Sequence, residues 1–344
     1  MPSFMQKINM KTVTLPAYQG NIIRALRSLE IKEAEVPQLL DHEVLIEVAA
    51  APANPSDLAF IQGGYNVKKT LPAIPGFEGC GRIVQTGSSD LAGGLQGKFV
   101  SFFSQSDRGG SWSSHIPVSA SDCIILDKAM PLEQAACFAV NPFTAYAMVE
   151  LAENTNSKAI IQNAAAGQVG KFINILADQA GMKVINIVRK EEQIELLQKS
   201  GFTNILWSQD ENFPDKLGNL ANSLEATIAF DAVGGEMSGH ILGAMPEGST
   251  LYLYGALAGR TLSEIPASDV IFKKKSISGF NMNEWKEVLS SDDFEKVSQQ
   301  LQELFLDGTL KTDIQASFPL EEYEKAIMQY IRAMSGGKVL LLPG

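Results

Sequence analysis

The segment AIIQNAAAGQVGKFINILADQAGMKVINIVRK, residues 159–190, restricts the possible folds more than any other part of this chain. AIIQN is a short apolar run and AAAGQVG is built largely of small residues. Phe172, Ile173, Leu176 and Ala180 then recur at helical spacing before a second apolar run, KVINIV. Strand, tight turn, amphipathic helix and second strand predict a parallel pair with its crossover. The alternation continues through EEQIELLQKSG, ATIAFDAV, STLYLYGAL and SISGF. This part of the chain is therefore expected to form a doubly wound parallel sheet of the α/β class.

The turn has a chemical use. Ala165-Ala166-Gly167-Gln168-Val169-Gly170 reads AxGxxG where dinucleotide-binding turns read GxGxxG. Ala165 in the first glycine position restricts the tight turn. Gly167 lets backbone N–H groups approach a pyrophosphate, and Gly170 lets the helix pack closely on the strand. With Gln168 and Val169 the helix begins, and its unpaired N–H groups and positive dipole end suit an anion. The alternative is a packing turn without a ligand. About 20 residues further on, an NAD site places a carboxylate against the ribose hydroxyls. Here that place holds Arg189, followed by Lys190. An acid repels a 2′-phosphate, whereas a guanidinium holds it through paired charge-assisted hydrogen bonds. The expected cofactor is NADPH; the alternative is a solvated arginine at a strand end.

The rest of the chain reads differently. Residues 11–130 contain VLIEVAAAP, GRIVQTG, KFVSFF and HIPVS, separated by Pro and Gly, which predicts a β-rich barrel or sandwich. PLEQAACFAVNPFTAYAMVELA is helical in pattern. The tail holds a helical stretch, DDFEKVSQQLQELFLDG, then DIQASFPLEEYEKAIMQYIRAM and a strand, KVLLLPG. At 344 residues, two domains are expected. The 28 basic against 39 acidic residues give a net charge of −11, which disfavours nucleic acid or an anionic membrane as partner. Cys80, Cys123 and Cys137 are an odd, dispersed set, which fits a reducing, cytoplasmic setting. No apolar run reaches the roughly 18 residues of a membrane span. The start, MPSFMQKINMKT, lacks the apolar core of a signal peptide.

These features together resemble the medium-chain dehydrogenase/reductase superfamily nearly end to end. The landmarks are AAAPANPSD (49–57), IPGFEGCGRIVQTG (74–87), AVNPFTAYAMVE (139–150), the AAGQVG turn, FDAVGG (230–235) and the closing GGKVLLLPG. Within the superfamily the chain is most similar to the zinc-free quinone reductase group, especially the mitochondrial-type trans-2-enoyl-thioester reductases. IQGGY (61–65), VNPFTAY (140–146) and IQNA (161–164) carry that likeness. The resemblance implies a GroES-like domain from residues 1–138 and 286–344, with a Rossmann domain, 139–285, inserted. The active site would lie in the cleft between them, and the protein would be a homodimer.

Zinc-dependent relatives carry a Cys near the NPSD position, a His-Glu pair before EGxG and a four-cysteine lobe. Here Asn54 stands in NPSD, Phe77 precedes Glu78, and His42, His115 and His240 are isolated, so no metal is expected. Without a Lewis acid a plain ketone is hard to reduce, while a conjugated acceptor delocalises the charge. The resemblance makes Tyr65 the acid that protonates the α-carbon, its phenol being protonated at neutral pH. It places Asn54 and Thr144 beside the nicotinamide. Val233, Gly255 and Phe280, which end successive strands, would touch the nicotinamide half, and Trp285 would line the substrate pocket. Read without the resemblance, Tyr65 is a turn aromatic, Asn54 an Asx turn, Thr144 a cap, and the others packing. Lys273-Lys274-Lys275 either meets a coenzyme A or carrier phosphate or is a solvated turn. The expected function is an NADPH-dependent reductase of an α,β-unsaturated carbonyl, with 2-enoyl thioesters the first class to test. The alternatives are an NADPH:quinone oxidoreductase and a non-catalytic NADPH-binding protein.

Overall fold

The computed structural model describes residues 8–259 and 261–344. Residues 1–7, which begin the segment read for a signal peptide, lie outside the described residues. The chain divides into two compact units. One runs to Val140 and resumes at Ser298–Gly344; the other is Asn141–Val297.

In the first unit the strands are β1 (Asn9–Thr14), β2 (Glu30–Glu35), β3 (Glu43–Pro52), β4 (Glu78–Thr86), β5 (Phe99–Phe103), β6 (His115–Ser119) and β7 (Cys123–Ile125). From the tail come β14 (Ile314–Pro319) and β15 (Lys338–Leu342). β1 and β2 form an antiparallel pair. The main sheet has the order β14-β15-β3-β4-β5-β7, with β6 also paired to β3. The last strand returns to this unit, with Leu340 opposite Pro52 and Leu341 opposite Ala51. The reason is apolar: Val339 and Leu341 enter the same core as Val44, Ile46, Phe60 and Phe77. The helix Tyr323–Arg332 adds Ala326, Ile327 and Tyr330 to it.

The second unit is a six-stranded, fully parallel sheet. Its strands are β8 (Ala159–Gln162), β9 (Lys183–Val188), β10 (Ile205–Trp207), β11 (Ile228–Asp231), β12 (Thr250–Leu253) and β13 (Ser276–Gly279). The order β10-β9-β8-β11-β12-β13 reverses direction between β8 and β11, the switch point at which such sheets bind ligands. β8 and β11 are buried throughout, as parallel strands covered on both faces must be. Strand β10 gave no sequence signal, since three residues are too short for a period to show.

The unit boundaries fall at 140/141 and 297/298, against an expected 138/139 and 285/286. The first follows a break in the helical segment. The helix Leu132–Ala136 stops at Cys137, and a new one, Asn141–Asn154, starts with Pro142 in its first turn. Residues 286–297 stay with the second unit because side chains tie them there. Phe294 stacks on Phe143 with ring centroids 5.1 Å apart, and the neighbouring Trp285 donates its indole N–H to Glu150 at 2.7 Å.

Candidate functional site

In the second unit the AAGQVG turn follows β8. Gly167 caps the helix Gln168–Gln179 without a side-chain bond, and no acid lies in the first turn. The backbone N–H groups of Gln168 and Val169 therefore open an electropositive end suited to an anion. A Cβ on Gly170 would stand 2.6 Å from the Ala165 carbonyl oxygen, so close helix–strand packing requires glycine there. The expected strain at Ala165 is displaced by one residue: Ala164 takes the positive φ, +50°.

Beneath the turn lies a polar network that motif reading did not supply. Gln162 and Asn174 both donate to the Gly170 carbonyl at 2.9 Å, and both donate to Asn186 Oδ1 at 2.8 Å. These buried amides join β8, the helix and β9. They replace water as partners, which a buried polar group needs. Asn174 is buried but lies off the Phe172, Ile173, Leu176, Ala180 stripe that the apolar spacing assigned to the core, so periodicity concealed it.

The predicted residues are distributed along the carboxyl edge of this sheet. Arg189 follows β9 and is exposed. Its carbonyl accepts the Trp207 indole N–H at 3.1 Å. Lys190 is occupied by Glu192 at 3.1 Å, whereas the Arg189 guanidinium has no ion pair among the described residues. Val233, Gly255 and Phe280 follow the adjacent strands β11, β12 and β13. Gly255 has no space for a side chain, since a Cβ would lie 2.7 Å from the Ala232 carbonyl oxygen. Val233 is positioned by buried Asp231, whose carboxylate accepts from Val233 N at 2.7 Å, Gly234 N at 2.9 Å, Asn163 and Ser238. These contacts give FDAVGG a physical role, a carboxylate folding its own backbone into a turn. Thr144 lies in the first turn of the helix Asn141–Asn154, buried. Trp285 is half-buried on the helix Met282–Glu287, 6.1 Å from the Tyr146 ring. With its indole N–H committed to Glu150, only the ring face remains for a substrate.

The basic run is neither wholly solvated nor an open anion patch. Lys275 is buried and donates to Asp269 at 2.6 Å and to the Leu242 and Gly243 carbonyls at 2.8 and 3.0 Å. Lys273 pairs with Asp269 at 2.8 Å. The run closes a helix–strand turn.

In the first unit the site grows from the start of the helix Pro55–Ile61. Asn54 caps it, Pro55 fixes its first turn, and the Asp57 carboxylate accepts from Asn54 N at 2.8 Å. Asn54 Nδ2 donates to Glu78 at 2.9 Å, and its Oδ1 accepts from Lys338 on β15. Glu78 also accepts from Val140 N at 3.0 Å. Asn54 is thus largely committed internally, with one N–H left for an outside partner. Asp57, Glu78 and Lys338 are all buried. Two carboxyls with one ammonium stay near neutrality only if one carboxyl keeps its proton. Burial pushes Asp57 up to about 7, and the Glu78 charge adds to this against Asn54 N–H and Lys338. Burial raises Glu78 too, opposed chiefly by Lys338.

Tyr65 follows the turn Gly63-Gly64. Its N–H bonds to the Ala59 carbonyl at 3.1 Å, its ring centroid lies 5.3 Å from that of Phe77, and its phenol oxygen accepts from Gln105 Nε2 at 3.0 Å. Burial, then the Asp57 charge, holds its pKa above the ordinary phenol value, and the Gln105 N–H opposes them. The segment carrying Tyr65 is pinned on both sides. Gln62 donates to the Gly20 carbonyl at 2.8 Å, and Thr70 donates through N and Oγ1 to Asp107 at 2.6 Å each. Lys69 donates to the Gly109 and Ile74 carbonyls while lying over Phe77 and Phe60, 5.1 and 5.6 Å from their centroids. Burial pushes this ammonium down to about 8. Gln105, Lys69 and Lys338, which contact Tyr65, the Gly109 carbonyl and Asn54 respectively, were not singled out in the sequence. GGKVLLLPG was visible as a landmark, but not the reason for its lysine.

A zinc site does not fit these residues. Phe77 is buried among Phe60, Tyr65 and Phe103. The Asn54 amide is bonded to Glu78 and Lys338, and no three His, Cys, Asp or Glu among the described residues group as metal ligands.

Comparison with known proteins agrees with this architecture. The alcohol dehydrogenase GroES-like domain matches residues 40–126, and the zinc-binding dehydrogenase family matches residues 169–303. The mitochondrial enoyl-[acyl-carrier-protein] reductase of Rattus norvegicus is 30% identical over 90% of this chain and 83% of its own length. A Mesorhizobium loti structure assigned as an NADPH:quinone reductase is 32% identical, with a TM-score of 0.89 over 97% of this chain and 98% of its own. A mutant enoyl thioester reductase of Candida tropicalis shares the fold at 22% identity and a TM-score of 0.76, over 97% and 100% of the two chains. The chain belongs to the medium-chain dehydrogenase/reductase superfamily, in its zinc-free enoyl and quinone reductase group.

Proposed function

We propose that this protein reduces the carbon–carbon double bond of α,β-unsaturated carbonyl compounds, with 2-enoyl thioesters as the substrate class. As a member of its group it is an NADPH-dependent oxidoreductase. The observation that carries the substrate reading is Tyr65, a phenol kept protonated by burial and the nearby Asp57, on a segment pinned against motion.

NADPH supplies the hydride that the β-carbon receives. The protein's residues do the rest. Backbone N–H groups at Gly167, Gln168, Val169 and Gly170 hold the pyrophosphate, and Arg189 takes the 2′-phosphate. Asn54, Thr144, Val233, Gly255 and Phe280 orient the nicotinamide half, and Trp285 offers a ring face to the acyl group. Tyr65 then donates its proton to the α-carbon of the resulting enolate. Such an acid is worth about 10²–10⁴ in rate.

Tyr65→Phe tests this reading. Enoyl-CoA turnover is expected to fall by about 10²–10⁴ while NADPH affinity holds. Undiminished turnover of an enoyl thioester would remove Tyr65 as the acid. A second reading, quinone reduction, is favoured by the Mesorhizobium loti relative. It predicts quinone turnover that survives Tyr65→Phe, because a quinone needs less help from a dedicated acid.

A homodimer and a cytoplasmic location complete the proposal. Among the described residues β13 is an open sheet edge. Beside it in sequence, Ile271 and Phe272 of the helix Ala267–Phe272 are 66% and 76% exposed, a surface that a second copy would cover. Sedimentation of Phe272→Asp as a monomer would support this, and an unchanged dimer would count against that face. Cys80, Cys123 and Cys137 form no disulfide among the described residues, which supports a reducing compartment. Fractionation decides between the cytoplasm and the mitochondrial location carried in the name of the Rattus norvegicus relative. No helix among the described residues is long and apolar enough to cross a membrane.

A further inference from the structure

We infer that Gln105 is a positioning residue for Tyr65, donating an amide N–H into the phenol oxygen so that the phenol proton is directed to substrate. The inference rests on the reading of Tyr65 as the acid.

A phenol has one proton to give and lone pairs to accept with. A carbonyl or carboxylate beside Tyr65 would take that proton and hold it. Gln105 Nε2, 3.0 Å from the oxygen, does the opposite. It occupies a lone pair and leaves the O–H to seek its acceptor elsewhere. The bond also changes strength during the reaction. As the O–H proton leaves, the oxygen gains negative charge, and a neutral hydrogen bond becomes a charge-assisted one. Gln105 therefore favours the transition state over the ground state.

The geometry suits a fixed donor. Gln105 follows β5 on a loop whose neighbours are anchored: Ser104 N bonds to the Phe77 carbonyl at 2.8 Å, and Asp107 receives two bonds from Thr70. Arg108 Nε meets buried Glu43 at 2.7 Å, and the Gly109 carbonyl accepts from Lys69. Tyr65, Lys69 and Thr70 lie on one loop and Gln105, Asp107 and Gly109 on the other. The same loop pair thus aligns acid and donor.

Gln105→Leu and Gln105→Glu test the assignment beside Tyr65→Phe. With Gln105→Leu, kcat for an enoyl-CoA should fall about 10- to 100-fold, less than the roughly 10²–10³ of a full oxyanion donor because charge on the phenol is partial. KM and NADPH affinity should hold. Gln105→Glu keeps the size but captures the proton, so kcat should fall further. In the Tyr65→Phe background, Gln105→Leu should add nothing. NMR of carbon-labelled tyrosine should show the Tyr65 pKa rising in Gln105→Leu, a readout that loop packing alone does not move. If Tyr65→Phe is crippled while Gln105→Leu keeps or raises kcat, the Gln105 assignment is overturned and the acid survives. If Tyr65→Phe itself is unimpaired, the acid reading falls and this inference with it.

Discussion

The two units hold their functional groups by opposite means. The AAGQVG turn is made mostly of backbone: a helix start without a side-chain cap, and glycines that allow close packing. Its parts lie within residues 159–190. The Tyr65 cluster of the other unit is made of side chains brought from residues 54, 57, 65, 69, 78, 105 and 338, several of them buried and ionisable. A backbone site relies on local geometry and tolerates many side-chain changes. A site of buried charges relies on each partner staying present, because removing one leaves another unpaired.

The sharpest way to break this contrast is Lys338→Met. Asn54 and Glu78 would lose their buried cation, and unfolding stability should drop by about 3–5 kcal/mol in a denaturant titration. Adding Glu78→Gln should recover part of that loss; no recovery would mean that the lysine acts through packing alone. Next is pH. Asp57 titrates at about 7 in the fold against 3.8 unfolded, so its neutral form favours the native state. That contribution is full below pH 3.8 and is lost as pH rises to about 7. At 1.36 kcal/mol per unit the change is about 4 kcal/mol. Asp57→Asn should flatten the stability profile in that window, and an unaltered slope would assign the titration to another group.

In the backbone-built unit smaller effects are expected. Arg189→Ala should erode the preference for NADPH over NADH by about one to two decades. Lys190→Ala, losing a cation already paired with Glu192, should change it little; comparable losses from both would make the recognition a diffuse field effect. A smaller loss than that of Arg189→Ala is expected for Gly170→Ala. The helix gains propensity but a methyl meets the Ala165 carbonyl, so a net loss of about 1–2 kcal/mol is expected by thermal melting.

The same contrast explains what could be read in advance. The turn AAGQVG and the place of Arg189 after β9 were legible because strand, turn, helix and strand are consecutive. Tyr65 and Asn54 came through resemblance, and their surroundings did not. Nothing in FVSFFSQSD identifies Gln105 as the partner of a residue forty positions away. Asn174 and Gln162 were hidden because hydrophobic periodicity ranks polar residues as exposed, whereas here both donate in the core to the Gly170 carbonyl and to Asn186.

By itself the sequence determined the parallel sheet, the β-rich partner unit, the small-residue turn after β8 and the cation that follows β9. Each of these depends on spacing and backbone sterics within a few dozen residues. Only the tertiary structure decided which side chains share a buried environment: the lysine of the last strand against Asn54, the carboxyl of Asp57 near neutrality, and the amide behind Tyr65. Burial and long-range pairing set those energies, and neither is a property of a residue's neighbours in the chain.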